Sequence, residues 1–336
     1  MKKLLLNKVT IVVYLWASSM SQLYAETFTL PTVDVDVVGR LQQIQSRHEE
    51  TLLDIARRYN LGYREILLAN PGVDPWLPGE GTEILLPTRY ILPDAPRNGI
   101  VLNVSEMRLY HYPEPREGEQ PVVITYPVSI GRQDWKTPLG STRIVSKKAD
   151  PDWYPPESIR EEHAAKGDPL PKKVPAGPDN PLGRYALRLG IPGYLIHGTN
   201  KPSGIGMQVS HGCIRMYPED VETLFKQVPE GTPIHIVDQT YKAGWQGDML
   251  YLEVHPPLID GTHVKPRNLT PMVRLLLTAT KDRPEYKVDW ERARSIIDHP
   301  LGIPIPLALP QIESDVLEKL PPLGPQTPAA RGILNK

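Results

Sequence analysis

The chain holds one cysteine, Cys213, within the run HGTNKPSGIGMQVSHGCIRM at residues 197–216, where His197 and His211 precede it. A lone thiol closes no internal disulfide and builds no multi-cysteine metal cluster, which leaves a nucleophile or an inert buried thiol. A cysteine nucleophile needs a base to take and return its proton, and donors for the developing oxyanion. His197 lies sixteen residues upstream, at the end of the apolar stretch Gly193-Tyr194-Leu195-Ile196. A base on a strand end and a nucleophile on a turn meet after one chain reversal. The Gly198 carbonyl is placed to fix the imidazole tautomer. Gly212 permits a close approach of backbone N–H groups to a substrate carbonyl. Arg215 can grip a substrate carboxylate with two bonds. Two other readings stay open on these residues. His197, His211 and Cys213 could ligate zinc, although no fourth ligand is evident. The domain could also bind without catalysing.

The address sharpens the argument. Lys2, Lys3 and Lys8 give a charged start before a short apolar stretch, Val9 to Trp16, and Leu23-Tyr24-Ala25 offers a cleavage context. Residues 1–25 therefore read as a secretory signal, with cleavage after Ser19 or retention as an anchor as alternatives. Exported chains normally use cysteines in pairs. A single thiol there is exposed to oxidation, which argues that its chemistry is needed and raises a periplasmic thiol reductase as a partner. The net charge of −1 gives no reason to expect a nucleic-acid partner. With 38 prolines, the chain reads as rich in loops and strands and poor in long helices.

The 336 residues are enough for about two or three domains. In 42–88, strand signals at Gln43-Ile44-Gln45 and Ile84-Leu85-Leu86 enclose two helical patterns, with Asn70-Pro71-Gly72 as a stop. Residues 97–238 carry strand candidates at Ile100–Tyr112, Pro121–Ile130, Ser141–Val145 and Thr232–Val237, with a helix over Pro218–Gln227, and suggest a β-sandwich or barrel-like body. The proline-dense segment 148–183 reads as a long lid or binding loop in which Trp153 either meets substrate or anchors the loop. Residues 239–300 form an appendage with a strand at Met249–Val254 and helices over Pro271–Thr280 and Asp289–Ile297. From 301 to 336 a Pro- and Leu-rich tail is expected to be extended or disordered.

The strand–helix–helix–strand unit, ETLLDIARRYNLGYREILLANPGVDPWLPGEGTEILLP, resembles a LysM module, which implies binding to the N-acetylglucosamine-containing glycan of a cell wall; a structural cap is the alternative. The elements H-G and S-H-G-C-x-R resemble the signature of the L,D-transpeptidases with a YkuD-type catalytic domain, and KKADPDWYPPESI and VPAGPDNPLG resemble the Gram-negative periplasmic variant joined to a LysM module. The implied fold is a mainly β, YkuD-like mixed β-sandwich with a small α/β module and a C-terminal α+β appendage. The resemblance implies Cys213 as nucleophile, His197 as general acid and base, Gly198 as its orienting carbonyl, and His211, Gly212 and Cys213 as the turn with its oxyanion donors. Ser210, Thr199, Arg215 and Trp153 complete the expected substrate contacts. No metal or organic cofactor is implied. The implied partner is peptidoglycan, and the acceptor is a second stem peptide, the lysine of an outer-membrane lipoprotein or protein, or water.

Overall fold

The computed structural model describes residues 26–30, 35–257 and 269–307. The expected signal at 1–25 lies outside the described residues, among which no helix is long and apolar enough to cross a membrane.

Strands β1 (Glu26–Thr29) and β2 (Val37–Gly39) lead into β3 (Gln42–Gln45), helices α1 (Leu52–Arg58) and α2 (Tyr63–Ala69), and strands β4 (Glu83–Leu86) and β5 (Arg89–Ile91). β3 pairs with β4 and β2 with β5, both antiparallel. Thr51 and Asp54 start α1 as a reciprocal capping box, with Thr51 Oγ1 accepting from the Asp54 N–H at 3.1 Å and Asp54 accepting from the Thr51 N–H at 3.0 Å. Leu52, Ile55 and Ala56 then bury one face of the helix against Ile66, Ile84 and Leu86. Asn70 ends α2 and also straps it to β4. Its side-chain amide donates to the carbonyls of Ile66 and Leu85 at 2.8 Å each and accepts from the Leu85 N–H at 2.7 Å.

The central body runs β6 (Gly99–Asn103), β7 (Arg108–Tyr112), β8 (Val122–Gly131), β9 (Gly140–Ala149), α3 (Glu157–Ala165), β10 (Tyr185–Leu189), β11 (Leu195–His197), β12 (Gln208–Ser210), β13 (Ile214–Met216), α4 (Pro218–Gln227) and β14 (Pro233–Val237). The expected mixed sandwich is closed along its edges into a ring, in the order β8-β13-β11-β10-β9-β14-β6-β7 and back to β8. The cause is the length of β8 and β9, ten residues each. β8 pairs with β7 up to Pro127 and with β13 at Val128 and Ser129, while β9 pairs with β14 up to Arg143 and with β10 from Ile144. The β9–β10 register slips between Arg188 and Leu189, which bends β9 from one face to the other. Ile100, Leu102, Tyr126, Ile144, Leu187, Ile196 and Ile214 fill the interior with Val221 and Leu224 of α4. Segment 148–183, expected as a loop, is a strap that carries α3.

The first unit is bonded into this body. Arg108 of β7, fully buried, meets the Glu65 carboxylate of α2 through Nε at 2.6 Å and Nη2 at 2.9 Å. Asn60 donates to Asp220 of α4 at 2.8 Å, and the Tyr217 hydroxyl donates to the Leu61 carbonyl at 3.1 Å. The Tyr63 and Arg64 N–H groups donate to the carbonyls of Ile205 and Gly206 at 3.0 and 3.3 Å.

The C-terminal unit comprises β15 (Tyr241–Gln246), β16 (Met249–Val254), α5 (Thr270–Ala279), α6 (Trp290–Asp298) and β17 (Ile305–Pro306). The expected tail starts later than its prolines indicate. Leu301, Ile303, Ile305 and Leu307 are buried, and β17 pairs antiparallel with β16. Alternate apolar residues supply a buried face, and an edge strand tolerates proline. The rest of the expected tail, 308–336, lies outside the described residues.

Burial pushes the Asp220 carboxyl up to about 7, and Asn60 lowers it only in part. The folded state thus favours the protonated acid. The stability this contributes is complete below the ordinary carboxylate range and is lost as pH rises through about 7, at a rate of at most ~1.4 kcal/mol per pH unit. Glu26 of β1, also pushed up to about 7 by burial, acts in the same sense. Thermal unfolding midpoints at pH 5 and pH 8 are expected to differ less in Asp220→Asn than in the parent protein. An unchanged difference would remove Asp220 from this account.

Candidate active site

β11 and β13 run parallel, with Ile196 opposite Ile214 and His197 opposite Arg215. This register sets the residue before β13, Cys213, beside Leu195. The nucleophile and base candidates thus end up on neighbouring strands although a sixteen-residue step separates them in sequence. His197 is buried, and its Nδ1 lies 2.7 Å from the Gly198 carbonyl oxygen. A carbonyl only accepts, so the proton sits on Nδ1 and the Nε2 lone pair is left basic. The Gly198 carbonyl thus lies against the Nδ1 side of the ring. Burial, reinforced by the Arg215 charge, pushes the His197 imidazole down to about 3, so it is neutral at rest.

Cys213 is half-buried, with Sγ 3.6 Å from the Gly193 carbonyl oxygen. Burial pushes its thiol up, and the Leu195 N–H and the Arg215 charge offset this only in part. The resting residue is a protonated thiol. Arg215 is a cation whose charge acts on both His197 and Cys213. Burial lowers its own affinity for a proton, and its Nε has no hydrogen-bond partner among the described residues. Such a guanidinium is suited to a thiolate or to a substrate carboxylate.

Three expected contacts have other duties. Ser210 Oγ donates to the Cys213 carbonyl at 2.5 Å and accepts from the Gly212 N–H at 3.2 Å. Ser210 thus shapes the turn, and the Gly212 amide is already engaged rather than waiting for an oxyanion. Gly212 is required for its backbone, since φ is +99° and a Cβ would lie 2.7 Å from the Tyr194 ring. The Thr199 hydroxyl is buried and accepts from the Lys201 N–H at 2.9 Å, closing the turn after His197. Trp153 exchanges two backbone bonds of 2.8 Å with Val174, which folds the strap on itself. The tryptophan that packs on the Ser210–Cys213 turn is Trp135, edge-on to His211 with ring centroids 5.3 Å apart. Sequence reasoning did not find Trp135. Nor did it find Thr137, whose hydroxyl donates to the Gly212 carbonyl at 2.9 Å and accepts from the Gly131 N–H at 3.0 Å. Gly131-Arg132-Gln133-Asp134-Trp135, a break between two strand patterns, was the available signal.

His211 is held by Glu162 of α3, Nε2 to carboxylate at 3.0 Å, and so is separate from the His197–Cys213 pair. Both histidines thus have a protein partner on one ring nitrogen. Among the described residues the metal-type side chains that converge are Glu106, Glu253 and His255, far along the chain from this turn. The Lys242 ammonium fills that cluster, 2.9 Å from Glu106 and 2.7 Å from Glu253, and joins the C-terminal unit to the ring.

A family model described as the L,D-transpeptidase catalytic domain, YkuD, matches residues 97–236. The chain is similar to the probable L,D-transpeptidase YcfS of Escherichia coli strain K12, 38% identical over 299 residues that cover 87% of this chain and 92% of the relative. It is similar to the probable L,D-transpeptidase YbiS of the same strain, 42% identical over 260 residues, 74% of this chain and 83% of the relative. The probable L,D-transpeptidase ErfK/SrfK of that strain is 37% identical over 294 residues, 84% of this chain and 91% of the relative.

The resting protonation states are directly measurable. Alkylation of Cys213 by iodoacetamide is expected to rise with a midpoint above 9.0, the ordinary value for the thiol. No step is expected near 6.5, the ordinary value for imidazole. At pH 7 the rate should lie below that of free cysteine. A step between pH 6 and 7 would show a thiolate–imidazolium pair at rest and contradict the assignment.

Proposed function

The chain belongs to the L,D-transpeptidase family, and on that premise we propose that it works on peptidoglycan through an acyl-enzyme on Cys213, with His197 as the proton carrier. The observation that carries this reading is the His197 tautomer. With Nδ1 bound to Gly198, Nε2 is the basic nitrogen on the strand next to the thiol. The donor is a tetrapeptide stem ending in D-alanine. The Cys213 proton passes to His197 Nε2 and the sulfur attacks the carbonyl of the third residue, diaminopimelate in Gram-negative walls. Arg215 favours the anionic sulfur during this step. The Cys213 N–H faces the oxyanion in place of the engaged Gly212 amide. The tetrahedral intermediate collapses, D-alanine leaves with the proton from His197, and a thioester remains. An acceptor amine then attacks, gives its proton to His197 and releases the sulfur.

A diaminopimelate side chain gives a 3→3 crosslink, the lysine of an outer-membrane lipoprotein or protein gives a tether, and water gives hydrolysis. The order of module, catalytic domain and appendage favours the tether by analogy. The reading places the protein in the periplasm, and the unit at 42–88 as a LysM module that holds the glycan. Trp76 and Leu77, 63% and 73% exposed on the turn between α2 and β4, support a binding role for that unit.

A carbapenem serves as the acylating probe. The parent protein is expected to gain the adduct mass on the peptide containing Cys213, and Cys213→Ala to gain none. Cys213→Ser should be nearly inactive, because a hydroxyl ionises far less readily than a thiol. His197→Ala should acylate about 10²–10⁴-fold more slowly. An adduct on Cys213→Ala, or an unchanged rate in His197→Ala, would overturn the assignment.

Removing the first unit would strand Arg108 without Glu65, so its binding role is better tested by Trp76→Ala. Retention on purified sacculi is expected to fall while carbapenem acylation stays within about twofold, since substitutions at an exposed turn rarely disturb the fold. Undiminished retention would reduce Trp76 to a surface residue.

A further inference from the structure

The strap at 148–183 is fastened at one carboxylate. Glu162 of α3 bonds the Arg132 guanidinium, the His211 Nε2 at 3.0 Å and the Lys166 ammonium of its own helix at 2.6 Å. These partners lie on three different pieces of structure. Arg132 follows β8, and its backbone N–H donates to the Ser210 carbonyl at 3.0 Å. His211 belongs to the nucleophile turn itself. Lys166 belongs to the strap. One carboxylate therefore ties the strap to both sides of the turn that ends in Cys213. His211 is confined on its other flanks by Trp135, edge-on at 5.3 Å, and by the His163 ring at 6.4 Å. The remaining charges near the cluster are Asp134, 3.6 Å from Arg132, Asp168, 3.1 Å from His163, and Arg215.

This arrangement solves a mechanical problem. Gly212 sits at φ +99°, where a glycine keeps its conformational freedom, and it directly precedes the nucleophile. A turn on such a residue keeps one geometry only if its flanks are fixed. On the Cys213 side Ser210 and Thr137 fix the backbone. On the other side the His211 ring is the fixed point, and Glu162 is its hydrogen-bond partner.

We infer that Glu162 is a positioning residue: through His211 it holds the nucleophile turn in its reactive geometry, and through Arg132 it holds the strap down over the same turn. Glu162 touches neither the thiol nor the base. Its bonds to Arg132 and Lys166 hold the carboxyl far below the usual carboxylate range, so it is ionised at every pH at which the protein works. His211 answers to this partner, since burial lowers its proton affinity while Glu162 raises it. The strap is thereby a part of the catalytic turn rather than a cover laid over it. Opening the strap would release His211 at the same time.

The inference rests on Cys213 as the acylated residue, which peptide mass mapping of the parent adduct establishes first. An adduct elsewhere would defeat that reading and this inference with it, whereas an adduct on Cys213 leaves the rates below to judge Glu162 alone. The test is a cycle of Glu162→Ala, His211→Ala and the double variant, each in the full chain, with carbapenem acylation rate and non-covalent dissociation constant measured separately. Glu162→Ala is expected to lower the rate by about 10²-fold, the cost of a misplacement near 1 Å, with the dissociation constant within about twofold. Most of the loss from Glu162→Ala should disappear in the His211→Ala background, because Glu162 reaches the turn through His211. Glu162→Gln, which keeps an acceptor oxygen and the packing, should lose less rate. Its His211 imidazole, followed by NMR, should titrate lower than in the parent. Rate losses that multiply in the double variant would overturn the inference. So would a Glu162→Gln protein, folded by its unfolding midpoint, in which the His211 titration has not moved.

Discussion

The parallel pairing of Leu195–His197 with Ile214–Met216 sets His197 opposite Arg215 and Leu195 beside Cys213. Two parallel neighbours cannot be joined by a hairpin. They require a crossover of roughly a dozen or more residues. Here Gly198 to Cys213 is that crossover, and the rest of the fold is organised to hold it. β12 fastens its second half to β8, and the Ser129 hydroxyl donates to the Gly204 carbonyl at 2.6 Å. The first unit fastens its middle through the Ile205 and Gly206 carbonyls. At this contact a Cβ on Gly206 would lie 2.3 Å from the Tyr63 nitrogen. The glycines of the crossover thus serve contact with another unit as much as the turn itself.

The electrostatics follow from the same pairing. Burial raises the Cys213 thiol and lowers the His197 imidazole, so each residue alone is neutral. The Arg215 charge acts on both, lowering the thiol and further lowering the imidazole. Charge separation between sulfur and imidazole is therefore disfavoured at rest and gains only once a substrate supplies the carbonyl. A protonated thiol is also less open to oxidants than a thiolate, which suits a residue with no cysteine partner in the chain.

The parts of this site that were legible in the sequence are those whose partners are adjacent in it. His197 and Gly198 are neighbours, and the Ser210–Cys213 turn is local, so one run of residues contained both. The same locality misdirected Ser210 and Thr199. Their place in the run suggests that both face substrate, yet each spends its hydroxyl on the backbone two or three residues away. Glu162, Arg132, Trp135 and Thr137 reach the turn from distant segments, and no spacing rule encodes such contacts. Helix α3 was hidden by the prolines around it. The closed ring was hidden because strand patterns give faces but not pairings, and only the length of β8 hinted that one strand serves two sheets. The prolines at 300, 304 and 306 masked the alternation of Leu301, Ile303, Ile305 and Leu307 that β17 buries.

In the proposed mechanism the stem peptide passes through Cys213 itself. A tetrapeptide-stem donor is mixed with the protein, the reaction is quenched in acid within the first turnover, and the digest is searched for a thioester. A tripeptide stem, lacking the terminal D-alanine, is expected on the peptide containing Cys213, with D-alanine released in equal amount. D-alanine released at the full rate from a protein whose Cys213 is replaced by Ala would contradict it.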